Sequence, residues 1–495
     1  MMRGFSTIEI LIAFTVLVSG MVAVSLVAYG SPLILEHATT ELSAANQAHA
    51  LLTKQEIQAR DTFESIMSTA STSDDRFTLG FNMIPMDDIG KRLTTTIQWR
   101  TPATIQKTIQ LQSFVMDVRN AALHPCDPFL SGDWRVPRIV SSYRVTPGEL
   151  LPSHIQGTYF PVSALAVNGS TLAIAIASTT SATHPTLFFF DISESDIVPV
   201  YISSEFDNAA SSRIGYSALA IGPNTFYAGN GFSSASAITC ASDPFGCAQL
   251  HLFDAHDTAP VRIASIQMPA ASGSVPASAV MYRSGVLYLG LSKTTGGQEL
   301  HLIDVHEPSL PKHLGGYTAG RGVNGIAADQ HVAYITTDDN SSSGKALIAL
   351  DIQDPTHPVE LASYRFLGAG YARRVVRSGS RLYVGRSFSA GTSEELSVLD
   401  RSDISTLTRI GGIDIGTSRA PGGVREILIR DFLAFVLSER SLQIWNISDL
   451  SEISLYASVP LPNGTGTSLS CRNNMLYVGS AGAEGNGFLT TITSS

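Results

Sequence analysis

A strand-like pentad of the form Leu-x-x-Φ-Asp, with Φ apolar, returns along the chain at Leu187–Asp191, Leu250–Asp254, Leu300–Asp304, Leu347–Asp351 and Leu396–Asp400, with a variant at Leu442–Asn446. Subtracting successive Asp or Asn positions (191, 254, 304, 351, 400, 446) gives spacings of 63, 50, 47, 49 and 46. Around each pentad the pattern is the same. A strand and an Asn-, Ser- or Gly-rich turn come first, then a second apolar strand and a variable loop; the pentad strand and a fourth strand follow. Pro opens that fourth strand at Pro199-Val200-Tyr201-Ile202, Pro260-Val261-Arg262-Ile263, Pro311-Lys312-His313-Leu314 and Pro358-Val359-Glu360-Leu361, with looser copies at 407–410 and 453–456. Pro is tolerated at the first residue of an outer strand, where no ladder bond has to be donated. Four strands per unit at a period near fifty predict a β-propeller.

A seventh unit begins at Ser468, runs through Met475–Val478 and Phe488–Ile492, and ends before any fourth strand. The missing strand is found upstream. Val136-Pro137-Arg138-Ile139-Val140-Ser141-Ser142-Tyr143 copies the stamp of His357-Pro358-Val359-Glu360-Leu361-Ala362-Ser363-Tyr364. Residues 136–495 are therefore expected to form a seven-bladed propeller closed by strand 137–143, so that no sheet edge of the last blade is left open. The units are similar to the bacterial LVIVD-type propeller repeats, a resemblance that implies the fold and no single activity.

A chain of 495 residues exceeds one ordinary core, and its charged fraction of 15% suits strands joined by turns. A net charge of −10 offers no basic stripe, so nucleic acid is excluded as a partner of the folded part. Upstream of the propeller, residues 121–135 contain His124-Pro125-Cys126-Asp127-Pro128 and read as a linker. In residues 36–120 an amphipathic helix is expected, with a stripe through Leu42, Ala45, Leu52, Ala59 and Phe63 on which His49 is the polar member. Strands are expected at 76–81, 93–100 and 108–116.

The chain opens with Met1-Met2-Arg3-Gly4-Phe5-Ser6-Thr7-Ile8-Glu9 and an uncharged apolar run from Ile10 to Leu35. Such a run, if helical, exceeds the ~30 Å of a bilayer's hydrocarbon core. Glu9 at its head asks for a partner, since an unpaired carboxylate is costly in lipid. This start resembles that of type IV pilins and pseudopilins. The resemblance implies a leader of residues 1–4, cleavage between Gly4 and Phe5 by a prepilin peptidase, methylation of the new N-terminus, and pairing of Glu9 with a neighbouring subunit. It also implies that helix 5–35 sits in the inner membrane before assembly and packs among other pilin subunits in the filament. Arg3 places the rest of the chain outside the cytoplasm, and so on the cell surface or pilus tip after assembly. The combined expectation is a long N-terminal α-helix with a small α+β pilin-like head, followed by an all-β seven-bladed β-propeller.

Catalytic signatures are missing: no nucleophile elbow, phosphate loop, His-Glu-x-x-His or cysteine-rich metal spacing occurs, and neither cofactor nor metal is expected. The loop Thr337–Gly344 is rich in oxygen ligands but lacks the bidentate acid that closes an EF-type calcium loop. The pentad aspartates read as turn-formers rather than ligands. His251, His301 and His313 fall on different strands. Four cysteines give Cys240 with Cys247, and Cys126 with Cys471, as candidate disulfides. The insertion 232–246 is the most distinctive loop and the first place to seek ligand contact.

A propeller of this length has an expected radius of gyration of roughly 21 Å, against about 8–10 Å between packed helices. Stacking it on every subunit of a filament is not feasible. The expected function is that of a minor, tip-located pilin-like protein, without enzymatic activity, whose propeller binds a surface or glycan. A pseudopilin of a secretion or DNA-uptake system and an envelope-tethered glycan enzyme are the alternatives.

Overall fold

The computed structural model describes residues 40–56, 69–73, 77–85, 90–100, 106–116, 132–155, 160–178, 185–205, 214–231, 248–256, 259–269, 275–339, 344–368, 370–387, 394–415, 422–482 and 485–495. They fall into two compact units, Met1–Val118 and Arg119–Ser495.

In the first unit, a helix over residues 40–56 accompanies an antiparallel sheet of Thr69–Ser73, Phe77–Pro85, Gly90–Arg100 and Gln106–Met116, in that order. Ala44 and Ala48 pack with Phe77, Ile97 and Trp99, while Leu52 packs with Phe81, Leu93 and Val115. An ion pair from Glu41 to Lys107 ties helix to sheet. The buried stripe thus runs through Ala44, Ala48 and Leu52, and Leu42, expected on it, is 63% exposed. Close approach of helix and sheet selects the small alanines at four-residue spacing over the larger leucine.

Two expectations are corrected here. The described structure is nearly all β with one short helix, and no long N-terminal helix with a pilin-like head is seen among the described residues. Nor is any described helix long and apolar enough to cross a membrane. Helix 40–56 spans roughly 25 Å, short of the ~30 Å required, and it carries Glu41, Lys54 and Glu56. The single-pass inner-membrane placement is accordingly not supported. Residues 1–39, with the apolar run, and Ala59 and Phe63 of the expected stripe lie outside the described residues.

The second unit is a closed ring of seven four-stranded antiparallel blades. Blade 1 runs Val162–Asn168, Thr171–Ser178, Leu187–Asp191 and Val200–Glu205 from the axis outwards. The innermost strands of blades 2 to 7 are Ile214–Gly222, Ala277–Arg283, Val323–Ala328, Ala372–Ser378, Val424–Arg430 and Thr465–Arg472. Each packs on the next, and that of blade 7 packs on that of blade 1. Arg138–Val145 pairs with Gly487–Thr493 as the outer strand of blade 7, so the beginning and end of this unit meet in one sheet.

The pentads are the third strands, and their apolar runs follow from their position. Phe188 and Phe190 face a core shared with Tyr477 and Leu489 of blade 7, while Phe189 between them faces Tyr216, Phe226 and Phe253 of blade 2. With neighbours on both faces, no residue of such a strand alternates into water. The pentad aspartates leave the core and accept the backbone N–H two residues on, as in Ser193 N to Asp191 Oδ1 at 2.8 Å and Gln353 N to Asp351 Oδ1 at 2.9 Å. These are Asx turns.

Second strands carry glycine where the neighbouring blade comes closest. A Cβ on Gly385 would stand 2.5 Å from Val424 Cγ1 and 2.9 Å from Ile427 Cδ1, and one on Gly479 would stand 2.5 Å from Val162 Cγ1. Gly385→Ala is therefore expected to destabilise by about 1–3 kcal/mol through overpacking. A lowered urea midpoint at unchanged slope checks this, and an unchanged midpoint would mean that blades 5 and 6 are not so closely apposed.

Candidate functional site

In all seven blades the innermost strand carries a bulge at its start. The register with the second strand slips at Val162/Ala164, Tyr216/Ala218, Ala277/Ala279, Val323/Gly325, Ala372/Arg374, Val424/Glu426 and Gly466/Ser468. The residues released from the ladder are Ser163, Ser217, Ser278, Asn324, Arg373, Arg425 and Thr467, one per blade, ringing the end of the channel where the innermost strands begin. Bulges re-aim side chains in this way at barrel and propeller rims.

Most of the ring residues grip a neighbouring blade. Ser163 Oγ donates to Tyr216 O and Ser217 Oγ to Ala277 O, both at 2.5 Å. Ser278 Oγ donates to Val323 O, and Asn324 Nδ2 to Ala372 O at 2.9 Å. Arg373 Nη1 continues the series to Gly422 O at 3.0 Å. Thr467 Oγ1 instead donates to Gly479 O of its own blade at 3.0 Å. The bonds to Tyr216 O, Ala277 O, Val323 O and Ala372 O satisfy carbonyls of innermost strands, which have no further strand to pair with on the channel side.

Blades 5 and 6 break the pattern of short uncharged side chains. Arg373 Nη2 donates to Tyr371 Oη at 2.9 Å, and its guanidinium lies 5.2 Å from the Tyr371 ring centre. Arg374 pairs with Glu426 through Nε at 3.0 Å and donates from Nη1 to Asn324 O at 2.6 Å. Arg425 pairs with Glu439. Burial and the adjacent Arg425 together lower the basicity of Arg373, whose direct partners are a carbonyl and a phenol. Residues 365–440 hold twelve arginines and no lysine against eight acids, a local excess of four positive charges in a chain of net charge −10.

At the other end of the channel the polar groups form clamps between blades. Arg472 reaches from blade 7 to Asp196 and, at 2.7 Å, to Ile192 O of blade 1; Tyr477 Oη donates to Asp196 O at 3.0 Å. Arg401 of blade 5 pairs with Asp329 of blade 4 at 2.7 Å, both side chains being largely buried. Although burial pushes it up, Arg401 and the N–H of His331 hold the Asp329 carboxyl below the usual range.

Residues singled out from sequence fare unevenly. His301 and His313 come together: His301 Nε2 donates to Gln298 O at 3.1 Å, which leaves Nδ1 to accept from His313 Nε2 at 3.0 Å. His251 sits apart, fully buried against Tyr216 Oη at 2.9 Å. In the loop 337–344, Asp338 accepts from Gly322 N and Asp339 lies 3.7 Å from Arg321. No group of three metal-ligating side chains occurs among the described residues. Cys471 is buried and disulfide-bonded. Its partner is one of Cys126, Cys240 and Cys247, all of which, with Gly4, Phe5, Glu9 and the insertion 232–246, lie outside the described residues.

The ring residues escaped sequence reading because their types differ from blade to blade. The available signal was an interruption of apolar strands at the same point, as in Ala372-Arg373-Arg374 and Val424-Arg425-Glu426.

No protein-family model matches the chain, so neither the pilin-type nor the LVIVD-type resemblance has a family match behind it, and no curated protein matches. Solved structures similar to it include the Neurospora crassa Pan2 WD40 domain, at 9% identity and a TM-score of 0.46, covering 72% of this chain and 96% of that one. A Saccharomyces cerevisiae Dbp5 complex with Nup159, Gle1, IP6 and ADP has a TM-score of 0.40, and the N-terminal domain of Nup159 one of 0.39. Each of these two is 9% identical and covers 72% of this chain and 95% of its own. The propeller assignment rests on strand order and ring closure in this chain itself.

Proposed function

We propose that this chain is a binding protein without enzymatic activity, and that its propeller holds a macromolecular partner at the channel mouth formed by the bulge ring. The observation that carries this reading is the pair Arg373 and Arg425 at adjacent ring positions, where five other blades place short uncharged side chains. A closed ring costs little to organise on binding, since its side chains are already held by neighbouring blades, and such preorganisation favours affinity. Residues at the mouth of a rigid scaffold are the usual carriers of recognition.

The test is retention of the full chain on panels of immobilised proteins and glycans. Arg425→Gln is expected to weaken retention at least tenfold, and the rim control Val261→Glu to leave it unchanged. Equal retention of wild type and Arg425→Gln, or turnover of a glycan by the wild type, would overturn the reading.

Within the same proposal the module is displayed by a minor pilin-like subunit. The order Arg3-Gly4-Phe5 with Glu9 supports this. Mass spectrometry of the protein from its native cells is expected to find residues 1–4 removed and Phe5 methylated; an intact Met1 would rule out display of this kind.

A further inference from the structure

Resting on the channel mouth as the binding surface, we infer that its occupant is an acidic sugar, with the carboxylate between Arg373 and Arg425 and the hydroxyls over the neighbouring bulge residues. Two features of the mouth fix this chemistry.

The first is the charge arrangement on blades 5 and 6. Arg425 has Glu439 as its carboxylate, whereas Arg373 is held by Gly422 O and Tyr371 Oη and, among the described residues, has no carboxylate in direct contact. Among the described residues two neighbouring guanidinium groups thus share one acid, and burial first, with Arg425 second, lowers the basicity of the half-buried Arg373. A planar carboxylate supplies the missing charge and matches the guanidinium fork. Arg374 does not compete for it, being engaged by Glu426 and Asn324 O.

The second feature is the polarity of the rest of the ring. Ser163, Ser217 and Ser278 each give their hydroxyl proton to a carbonyl of the next blade, Thr467 gives its own to Gly479 O, and Asn324 gives an amide proton to Ala372 O. What the hydroxyls have left is oxygen lone pairs, while Asn324 keeps its Oδ1 acceptor and one further N–H. The mouth therefore combines two cationic donors on one side with a set of acceptors around the remainder. A uronic or sialic acid presents the complement, one carboxylate and several hydroxyl donors within a single ring. An acidic peptide brings the carboxylate, but its backbone offers one N–H per residue, spaced about 3.3 Å apart along an extended chain.

The experiment is titration of the full chain, by saturation-transfer NMR and calorimetry, with glucuronate, galacturonate and N-acetylneuraminate, and with glucose and galactose as uncharged controls. Binding of at least one acidic sugar is expected, weakened at least tenfold by Arg373→Gln/Arg425→Gln and retained in part by Arg373→Lys/Arg425→Lys. Thermal melts of both variants keep a folding defect separate from a binding one. The inference fails if the uncharged sugars bind as tightly, if the glutamine variant binds like wild type while folded, or if no acidic sugar binds at 10 mM. A parallel arm uses a Glu-Glu-Glu peptide. Peptide binding that depends on Arg373 and Arg425, without sugar binding, would sink the sugar and leave the mouth as the binding surface. Panel retention indifferent to Arg425 would sink the mouth itself.

Discussion

A chain that begins at Thr146 is expected not to fold cooperatively, whereas one that begins at Gly132 should melt in a single sharp transition. The difference between them is Trp134 and the strand Arg138–Val145. Without that strand Gly487–Thr493 loses its hydrogen-bonding partner, and Val145, fully buried, leaves the core around Phe160 and Tyr477. Trp134 is 2% exposed and meets Phe435 edge-on at 5.0 Å between ring centres. Emptying a site of that kind costs about 3–5 kcal/mol by itself. A domain is typically stable by about 5–15 kcal/mol, so adding an unpaired edge strand exhausts what remains. Circular dichroism melts and limited proteolysis of the two fragments check this. A cooperative transition in the shorter fragment would show that blade 7 does not depend on its upstream strand.

Lowering the pH from 7 to 4 is expected to remove about 3 kcal/mol of stability through His301. Burial first, and the adjacent His313 second, bring His301 down from 6.5 to about 4. The folded state holds the ring neutral, while the unfolded chain takes up a proton already near pH 6.5. Stability from this source is complete above about 6.5 and is lost as the pH falls through the interval to about 4. A shift from 6.5 to about 4, at 1.36 kcal/mol per unit, gives the magnitude. Protonation at Nδ1 also removes the acceptor that His313 uses. Glu205, raised by burial, acts in the opposite sense at the acidic end of the same range, so the comparison has to be with a variant. In His301→Leu the slope of unfolding free energy between pH 6.5 and 4 should flatten. A slope equal to that of wild type would show that the pair titrates normally in the folded protein.

The propeller was legible because burial on both faces forces third strands such as Leu187–Asp191 and Leu347–Asp351 into uninterrupted apolar runs, each ended by a turn-forming aspartate. That constraint is local, so it survives in one sequence. The head was less legible. Amphipathic spacing put Leu42 inwards, whereas helix–sheet distance put Ala44 and Ala48 there, and only the folded unit sets that distance. The expectation of a membrane-crossing rod came from the first residues of the chain, which lie outside the described residues, and the described structure has one short helix, not long and apolar enough to cross a membrane. The bulge ring was invisible for a different reason. A bulge is a relation between two strands, and Ser163, Asn324 and Arg373 share a position without sharing a chemistry. Likewise His301 and His313 meet because adjacent strands of blade 3 lie side by side, with Ile303 opposite His313.

The pairing of Arg138–Val145 with Gly487–Thr493 sets a timetable for biosynthesis. The first of these segments leaves the ribosome while its partner is still some 350 codons away. At 5–20 residues per second it waits roughly 20–70 s as an open, adhesive strand. The circle is fastened only after Gly487–Thr493 has emerged, so a holding chaperone has its greatest leverage in that interval.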